Sequence, residues 1–325
     1  MFFNREIDIQ GRVIGYGRPA LIVAEAGVSH FGSEEKAYNL IDMACRAGAD
    51  MIKFQIFKTD SLISSSSPEW RKRMRSKELS FEVFRRIQNY CVKKGIIFFA
   101  TAHDEESFDF LKELDPPVFK IGSGEVSNWD FIRKIAAENK PLFISTGMYT
   151  QNDIEVLLDV IRSTGNNNLV LFHCVSLYPT PPDKVDLNTI SSLRDKYDLL
   201  VGYSDHTEGY HFPVAARIFG ACAIEKHITL DFNIPNAQDW KVSCGPETLP
   251  IMIKQIREIE SGCGDKLEKK CSEELTESIQ WARKSLVAAQ SILKGTVIQH
   301  KHITVKRPGD GIKPSEIDYI IGKTA

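Results

Sequence analysis

Two lysines stand where lysines are seldom placed. Lys53 falls in Met51-Ile52-Lys53-Phe54-Gln55 and Lys120 in Val118-Phe119-Lys120-Ile121-Gly122, each inside a short apolar run. An ammonium in such a run is costly unless an anion meets it. Ser123 and Ser145 follow in Gly-Ser-Gly and Ser-Thr-Gly segments, whose backbone N–H groups can approach a phosphate. The four residues together predict a pocket for a phosphate and a carboxylate. Internal pairing of each lysine with Glu25 or Glu225 is the competing reading. A lysine that forms a Schiff base with a carbonyl substrate is a third.

His206 and His227 end two successive apolar runs, so neighbouring strands would aim both imidazoles at one ion. Two histidines with oxygen ligands and open positions suit a catalytic Mn²⁺ or Mg²⁺. A hydrogen-bonded structural role is the alternative for each. Asp205, Glu225 and Asp239 are the nearby carboxylates that favour a metal. Glu25 and Glu125 are candidate general acids or bases, with charge balance for the lysines as their other role. Tyr178, before Pro179, either hydrogen-bonds a substrate or shapes its loop. His173 and His211 read as structural, and serines 64–67 as a solvated loop and candidate lid.

Residues this scattered need a scaffold that gathers them. Strand-length apolar runs occupy 21–26, 51–57, 96–100, 117–121, 142–145, 169–174, 199–202 and 222–227. Amphipathic stretches alternate with them at 35–47, 81–94, 105–114, 129–138, 153–162, 187–196, 210–219 and 247–260. Asn152 and Glu155 form a candidate capping pair, and Pro246 suits a first helical turn. Eight strand–helix units in about 240 residues predict an α/β fold, a (β/α)8 TIM barrel, with the site at the strands' C-terminal ends. A doubly wound open sheet is the structural alternative, but no Gly-x-Gly-x-x-Gly turn occurs. The expected divisions are an extended cap at 1–18, the barrel at 19–262, a polar linker at 263–282 and a small β-rich module at 283–325. Within the module, 279–289 reads as helical then extended. Short β segments are expected at 292–305 around a Lys294-Gly295 turn, before a tight loop at 307–311.

Composition excludes other classes. The 325 residues carry 41 Lys+Arg against 43 Asp+Glu, so no basic surface for nucleic acid or membrane is expected. No run approaches the ~20 apolar residues of a membrane helix, and the N-terminus has no signal-peptide pattern. Seven cysteines, with no Cys-x-x-Cys pair, read as reduced thiols in a cytoplasmic protein. Cys263 and Cys271 could be metal ligands, but read better as linker thiols.

The chain resembles the sialic acid synthase family. The matching stretches are Ala24-Glu25-Ala26-Gly27, Lys53-Phe54-Gln55, Lys120-Ile121-Gly122-Ser123-Gly124-Glu125, Ser145-Thr146-Gly147-Met148, Tyr178-Pro179-Thr180, Gly202-Tyr203-Ser204-Asp205-His206, Ile224-Glu225-Lys226-His227 and Lys306-Arg307-Pro308-Gly309. The resemblance implies condensation of phosphoenolpyruvate with an acylamino sugar. It also implies a barrel followed by an antifreeze-like (SAF) module, here ending somewhat short, in a domain-swapped homodimer. On that pattern Lys53, Lys120, Ser123 and Ser145 hold phosphoenolpyruvate, with Gln55, Ser176 and Tyr178 beside it. His206 and His227 bind the metal, Glu25 and Glu125 serve acid–base steps, and Asp239 approaches the sugar. Arg307 reaches the acylamino group from the partner chain. Three segments depart from the pattern. Ser29 replaces an Asn before His30, Ala100-Thr101-Ala102-His103 replaces Ser-Thr-Pro-Phe, and Gln238-Asp239-Trp240 replaces Pro-Asp-His. A Schiff-base aldolase and a non-catalytic sugar-phosphate-binding homologue are the alternatives.

Overall fold

An antiparallel hairpin, β1 (Glu6–Ile9) with β2 (Arg12–Gly15), opens the chain in the computed structural model. Eight strands follow: β3 (Leu21–Gly27), β4 (Met51–Ile56), β5 (Ile97–Ala102), β6 (Phe119–Ile121), β7 (Leu142–Ser145), β8 (Leu169–His173), β9 (Leu200–Asp205) and β10 (Ala223–His227). All are parallel to their neighbours and close in the order β10-β3-β4-β5-β6-β7-β8-β9, a TIM barrel. The structure describes residues 2–235, 237, 239–264 and 273–325, in two compact units, Met1–Gly264 and Asp265–Ala325. Gln238, Cys271 and much of the expected linker lie outside the described residues.

Each strand's even-numbered or odd-numbered side chains face inward, and the barrel interior is layered accordingly. Leu21, Val23, Met51, Phe99, Phe143, Val170, Phe172 and Leu200 form one apolar cluster, joined by Ile7, Ile9 and Ile14 of the hairpin. The expected extended cap is therefore a plug for the barrel's N-terminal end. Gly202 is required here, because a Cβ would sit 2.8 Å from the Phe172 ring. The outward side chains, such as Ile22, Phe54 and Ile144, pack under the helices in the main core.

The helices between the strands carry their own stop signals. Ser33, Ser80 and Asp104 accept N–H hydrogen bonds as N-caps, and Gly48, Gly95 and Gly165 end helices in the left-handed conformation. Three expectations shift. The capping box at Gln151–Thr164 uses Thr150 and Asp153, not Asn152 and Glu155. Pro246 precedes the last barrel helix, Thr248–Cys263, because the Gly245 N–H and Thr248 Oγ1 (2.9 Å) close a turn before it. The 64–67 loop is only part of the β4 connection, which also holds helices Thr59–Leu62 and Pro68–Arg75.

In the second unit a helix at Thr276–Ala282 precedes β11 (Ser285–Ala288), which pairs antiparallel with β12 (Ile303–Lys306). The β structure expected across 292–305 is limited to β12 and one bridge, Val297 with Thr324. Ile298 instead exchanges backbone hydrogen bonds with the tail, through Lys323 O and the Gly322 N–H, both at 2.8 Å. Among the described residues no helix is long and apolar enough to cross a membrane.

Candidate active site

One pleat beyond the apolar layer, the inward positions turn polar. Glu25, Lys53, Gln55, Thr101, Lys120, Ser145, Ser204, Glu225 and His227 line a cavity of about 220 Å³ at the C-terminal end of the barrel. Register places them: Glu25 lies opposite Lys53 and His227, and Thr101 opposite both Gln55 and Lys120. Loops following the strands add Ser123, Ser176, Tyr178, His206, His103 and Met148. Ten of the thirteen candidate residues thus share one cavity.

The two lysines differ in their partners. Lys53 Nζ lies 2.9 Å from Glu225 Oε1 and 3.6 Å from Glu25 Oε2, so its charge is met from within the protein. Burial acts to lower the Lys53 pKa, but these carboxylates outweigh it and raise it. Among the described residues Lys120 has no carboxylate in hydrogen-bonding reach. Its ammonium donates to Ser145 Oγ and lies 4.9 Å above the Phe172 ring. Burial lowers it to about 8, with Glu225 opposing and Lys53 reinforcing the fall. The internal-pairing reading holds for Lys53 and fails for Lys120.

The carboxylates divide in the opposite sense. Burial raises Glu25 to about 7, with Lys53 acting against it and Glu225 with it. Glu225 goes down despite burial, because Lys120 and Lys53 stand beside it and Ser204 Oγ donates to it at 2.9 Å. Gln55 Nε2 donates to Glu25 Oε1 at 3.0 Å. The second oxygens, Glu25 Oε2 and Glu225 Oε2, are buried with no hydrogen-bond partner among the described residues. The site thus holds one carboxyl that can carry a proton near neutrality and one fixed carboxylate.

Ser123 Oγ accepts the Gly147 N–H at 2.9 Å and lies 3.4 Å from Cys174 Sγ. A Cβ at Gly147 would come within 2.6 Å of Ser176 Oγ, so only glycine lets this loop approach the site. The serine loops after β6 and β7 therefore meet beside Lys120, as an anion cradle requires.

His206 and His227 stand with ring centroids 5.4 Å apart. The His206 Nδ1 contact to Val175 O, at 2.7 Å, assigns the proton to Nδ1 and leaves Nε2 facing the cavity, where the Tyr178 hydroxyl meets it at 2.8 Å. His227 Nδ1 is buried with no hydrogen-bond partner among the described residues. Burial holds both rings neutral, at about 4 and about 3, with the second charge of the pair or Lys53 adding to the effect. Neutral imidazoles suit a divalent cation, with His206 Nε2 open to one where the Tyr178 hydroxyl gives way. Among the described residues no group of three or more His, Cys, Asp or Glu donors forms. Asp205 does not serve: it is fully buried and clamped by Lys226, Tyr203 and Thr207.

Three candidates lie elsewhere. Glu125 follows Ser123 in the β6 loop, outside the lining, and accepts from Asn128 Nδ2 at 2.7 Å; burial raises its pKa. Asp239 also lies outside the lining, its carboxyl raised by burial against the pull of Lys77 and His206. Arg307 belongs to the second unit, its guanidinium 4.8 Å from the Trp281 ring centroid. His103 and Ser204, in turn, line the cavity without having been singled out. Their signal was position alone, at the ends of β5 and β9. His173 and its contact to Val185 O, at 2.7 Å, match a structural role.

Comparison with known proteins follows this geometry. Residues 40–268 match the model of the NeuB family and residues 283–325 that of the SAF domain. The N,N'-diacetyllegionaminic acid synthase of Campylobacter jejuni is 40% identical, covering 95% of this chain and 96% of that protein. The human N-acetylneuraminate-9-phosphate synthase is 32% identical, covering 96% and 90%. A crystal structure of N-acetylneuraminic acid synthetase from Leptospira borgpetersenii, in complex with citrate, superposes with a TM-score of 0.79 at 30% identity, covering 86% of this chain and 96% of that one. The chain belongs to the NeuB family, the sialic acid synthase family, and carries a C-terminal SAF domain.

Proposed function

We propose that the chain condenses phosphoenolpyruvate with the open-chain aldehyde of an acylamino sugar, N-acetylmannosamine or a related acetamido hexose, giving a nonulosonic acid and phosphate. The observation that carries this reading is Lys120, a buried ammonium with no carboxylate partner among the described residues, set between two serine loops. Lys120, Ser123, Ser145 and the loop N–H groups hold the donor's phosphate, and Lys53 approaches its carboxylate. Such preorganised donors stabilise charge as it develops. Gln55, Ser176 and Tyr178 orient the reactants.

The donor's C3 attacks the aldehyde carbon, and the new C–C bond leaves a cation at C2. The aldehyde oxygen becomes a hydroxyl, taking a proton that Glu25 is placed to supply. Water adds at C2 and loses one proton to give a C2 hydroxyl; the C2–O bond to phosphate then breaks, and the hydroxyl gives up its proton to the leaving phosphate as the C2 carbonyl forms. Glu225 stays ionised and offsets the cation at C2. His206 and His227 would hold a Mn²⁺ or Mg²⁺, which supplies Lewis acidity toward a carbonyl oxygen when bound. Glu125, Asp239 and, from the partner of a domain-swapped homodimer, Arg307 would complete the acceptor site. We place this chemistry in the cytoplasm, where the reduced thiols also fit.

The test is a panel of acylamino hexoses with phosphoenolpyruvate, scored by phosphate release. Release that depends on one sugar supports the reading; none with any sugar overturns it. A second reading has one observation behind it: a lysine lowered to about 8 is a better nucleophile at neutral pH. A Schiff-base aldolase would be inactivated by borohydride with a carbonyl substrate and would ignore chelators.

A further inference from the structure

Most titratable groups around the cavity are committed to one another. Lys53 meets Glu225 and Glu25, Lys120 meets Ser145, and Tyr178 meets His206. Apart from His227, which would hold the metal, one such lining group is left. Among the described residues the His103 ring makes no hydrogen bond and no ion pair. Asp104 beside it is already occupied, because its carboxylate accepts from the N–H groups of Lys58 and Ser107, both at 2.8 Å. The same residue departs from the family pattern, with His103 in place of a Phe.

The backbone fixes where this ring stands. Phe99 and Thr101 face inward on β5, and His103 is the next position of that parity. Its N–H donates to Ile56 O at 3.0 Å, which carries the β4–β5 ladder one residue past the strand. A Cβ on Gly122 would meet His103 Cε1 at 3.9 Å, so the ring also borders the loop that holds Ser123. β5 lies between β4, with Lys53, and β6, with Lys120. In the condensation reading Lys53 approaches the donor's carboxylate and Lys120 its phosphate. C2 bears both groups, so it lies between the two lysines, on the side of the barrel where His103 stands. Burial, reinforced by Lys53 and opposed by Asp104, lowers His103 to about 4, so the free ring is neutral and has a lone pair to offer. A phosphate dianion beside the ring favours its protonated form.

We propose that His103 relays the proton of the C2 hydroxyl to the departing phosphate. The proposal rests on the condensation reading, which supplies that hydroxyl. Both the hydroxyl oxygen and the bridging oxygen are bonded to C2, so one ring nitrogen reaches each in turn. The hydroxyl proton moves to that nitrogen as the C2 carbonyl forms. The C2–O bond to phosphate breaks, its electron pair stays on the bridging oxygen, and the same proton passes from the imidazolium to the phosphate. His103 ends neutral, as it began. A Phe at this position has no proton to take or give, so the relay belongs to this chain's own sequence.

The test uses the full-length protein with metal, phosphoenolpyruvate and the sugar that supports turnover. His103→Ala should lower kcat about a hundredfold, while the KM for phosphoenolpyruvate changes by no more than about twofold. Added imidazole should restore part of the lost kcat in His103→Ala, since His103 also lines a second cavity, of about 650 Å³, through which imidazole can enter. It should restore none in His103→Phe, where the ring fills the space. Under single-turnover conditions both variants should consume the sugar ahead of phosphate release, because only the step after C–C bond formation is slowed. A role in structure or binding alone would slow the two equally and give no rescue. Equal slowing, absence of rescue, or a wild-type kcat in either variant overturns the relay and leaves the condensation reading standing. No phosphate release by the wild type with any sugar overturns that reading and the relay with it.

Discussion

Lys120→Met separates binding from stability. In the free protein Lys120 is buried with no carboxylate partner among the described residues, and its pKa falls from 10.5 to about 8. That fall corresponds to roughly 3 kcal/mol lost from folding while the lysine is charged. The loss is complete below pH 8, where both folded and unfolded chains are protonated. It shrinks as pH rises from 8 to 10.5, because the folded protein releases its proton first. Lys120→Met should therefore unfold at a temperature a few degrees higher than the wild type at pH 7. It should also bind phosphoenolpyruvate about a hundredfold more weakly, the worth of a strong charge-assisted hydrogen bond. In the wild type, the bound anion should return the proton to Lys120. Calorimetry in buffers of different ionisation enthalpy should show uptake of about half a proton at pH 8 from this residue, absent in the variant. Affinity should fall by up to about tenfold per pH unit above 8. A variant less stable than the wild type, or a wild-type affinity flat from pH 7 to 9.5, would refute the assignment of Lys120 as the anion's partner.

His227→Ala should reduce turnover by about 10³-fold or more with an unchanged circular dichroism spectrum, and chelation should do the same reversibly, with Mn²⁺ or Mg²⁺ restoring the wild type. Full activity in chelated protein would count against the two-histidine site. Arg307→Ala and His227→Ala chains, each inactive alone, should regain activity when allowed to exchange, because a domain-swapped dimer then contains one intact site. Absence of rescue in verified mixed dimers would confine Arg307 to its own chain.

The barrel was legible because its strands are buried on both faces and read as unbroken apolar runs, as in Leu169–His173. Its polar layer was legible because Lys53, Lys120, Glu225 and His227 interrupt or end such runs. Helix Pro68–Arg75 was not, since it has no buried residue to mark an apolar face. The different fates of Lys53 and Lys120 were also hidden. Both lie in similar runs, and only the barrel's closure brings Glu25 and Glu225 to one of them. Asp205 next to His206 looked like a metal donor, but Lys226, directly opposite it on β10, claims it. The Tyr178 contact with His206 depends on loop conformation that no spacing encodes.

The central claim is that water attacks C2 of phosphoenolpyruvate and phosphate leaves with the bridging oxygen. Phosphoenolpyruvate labelled with ¹⁸O at that position tests it directly, with the released phosphate and the sugar acid analysed by mass spectrometry. The account predicts the label in the phosphate. Label retained in the sugar acid would mean P–O cleavage and would contradict it.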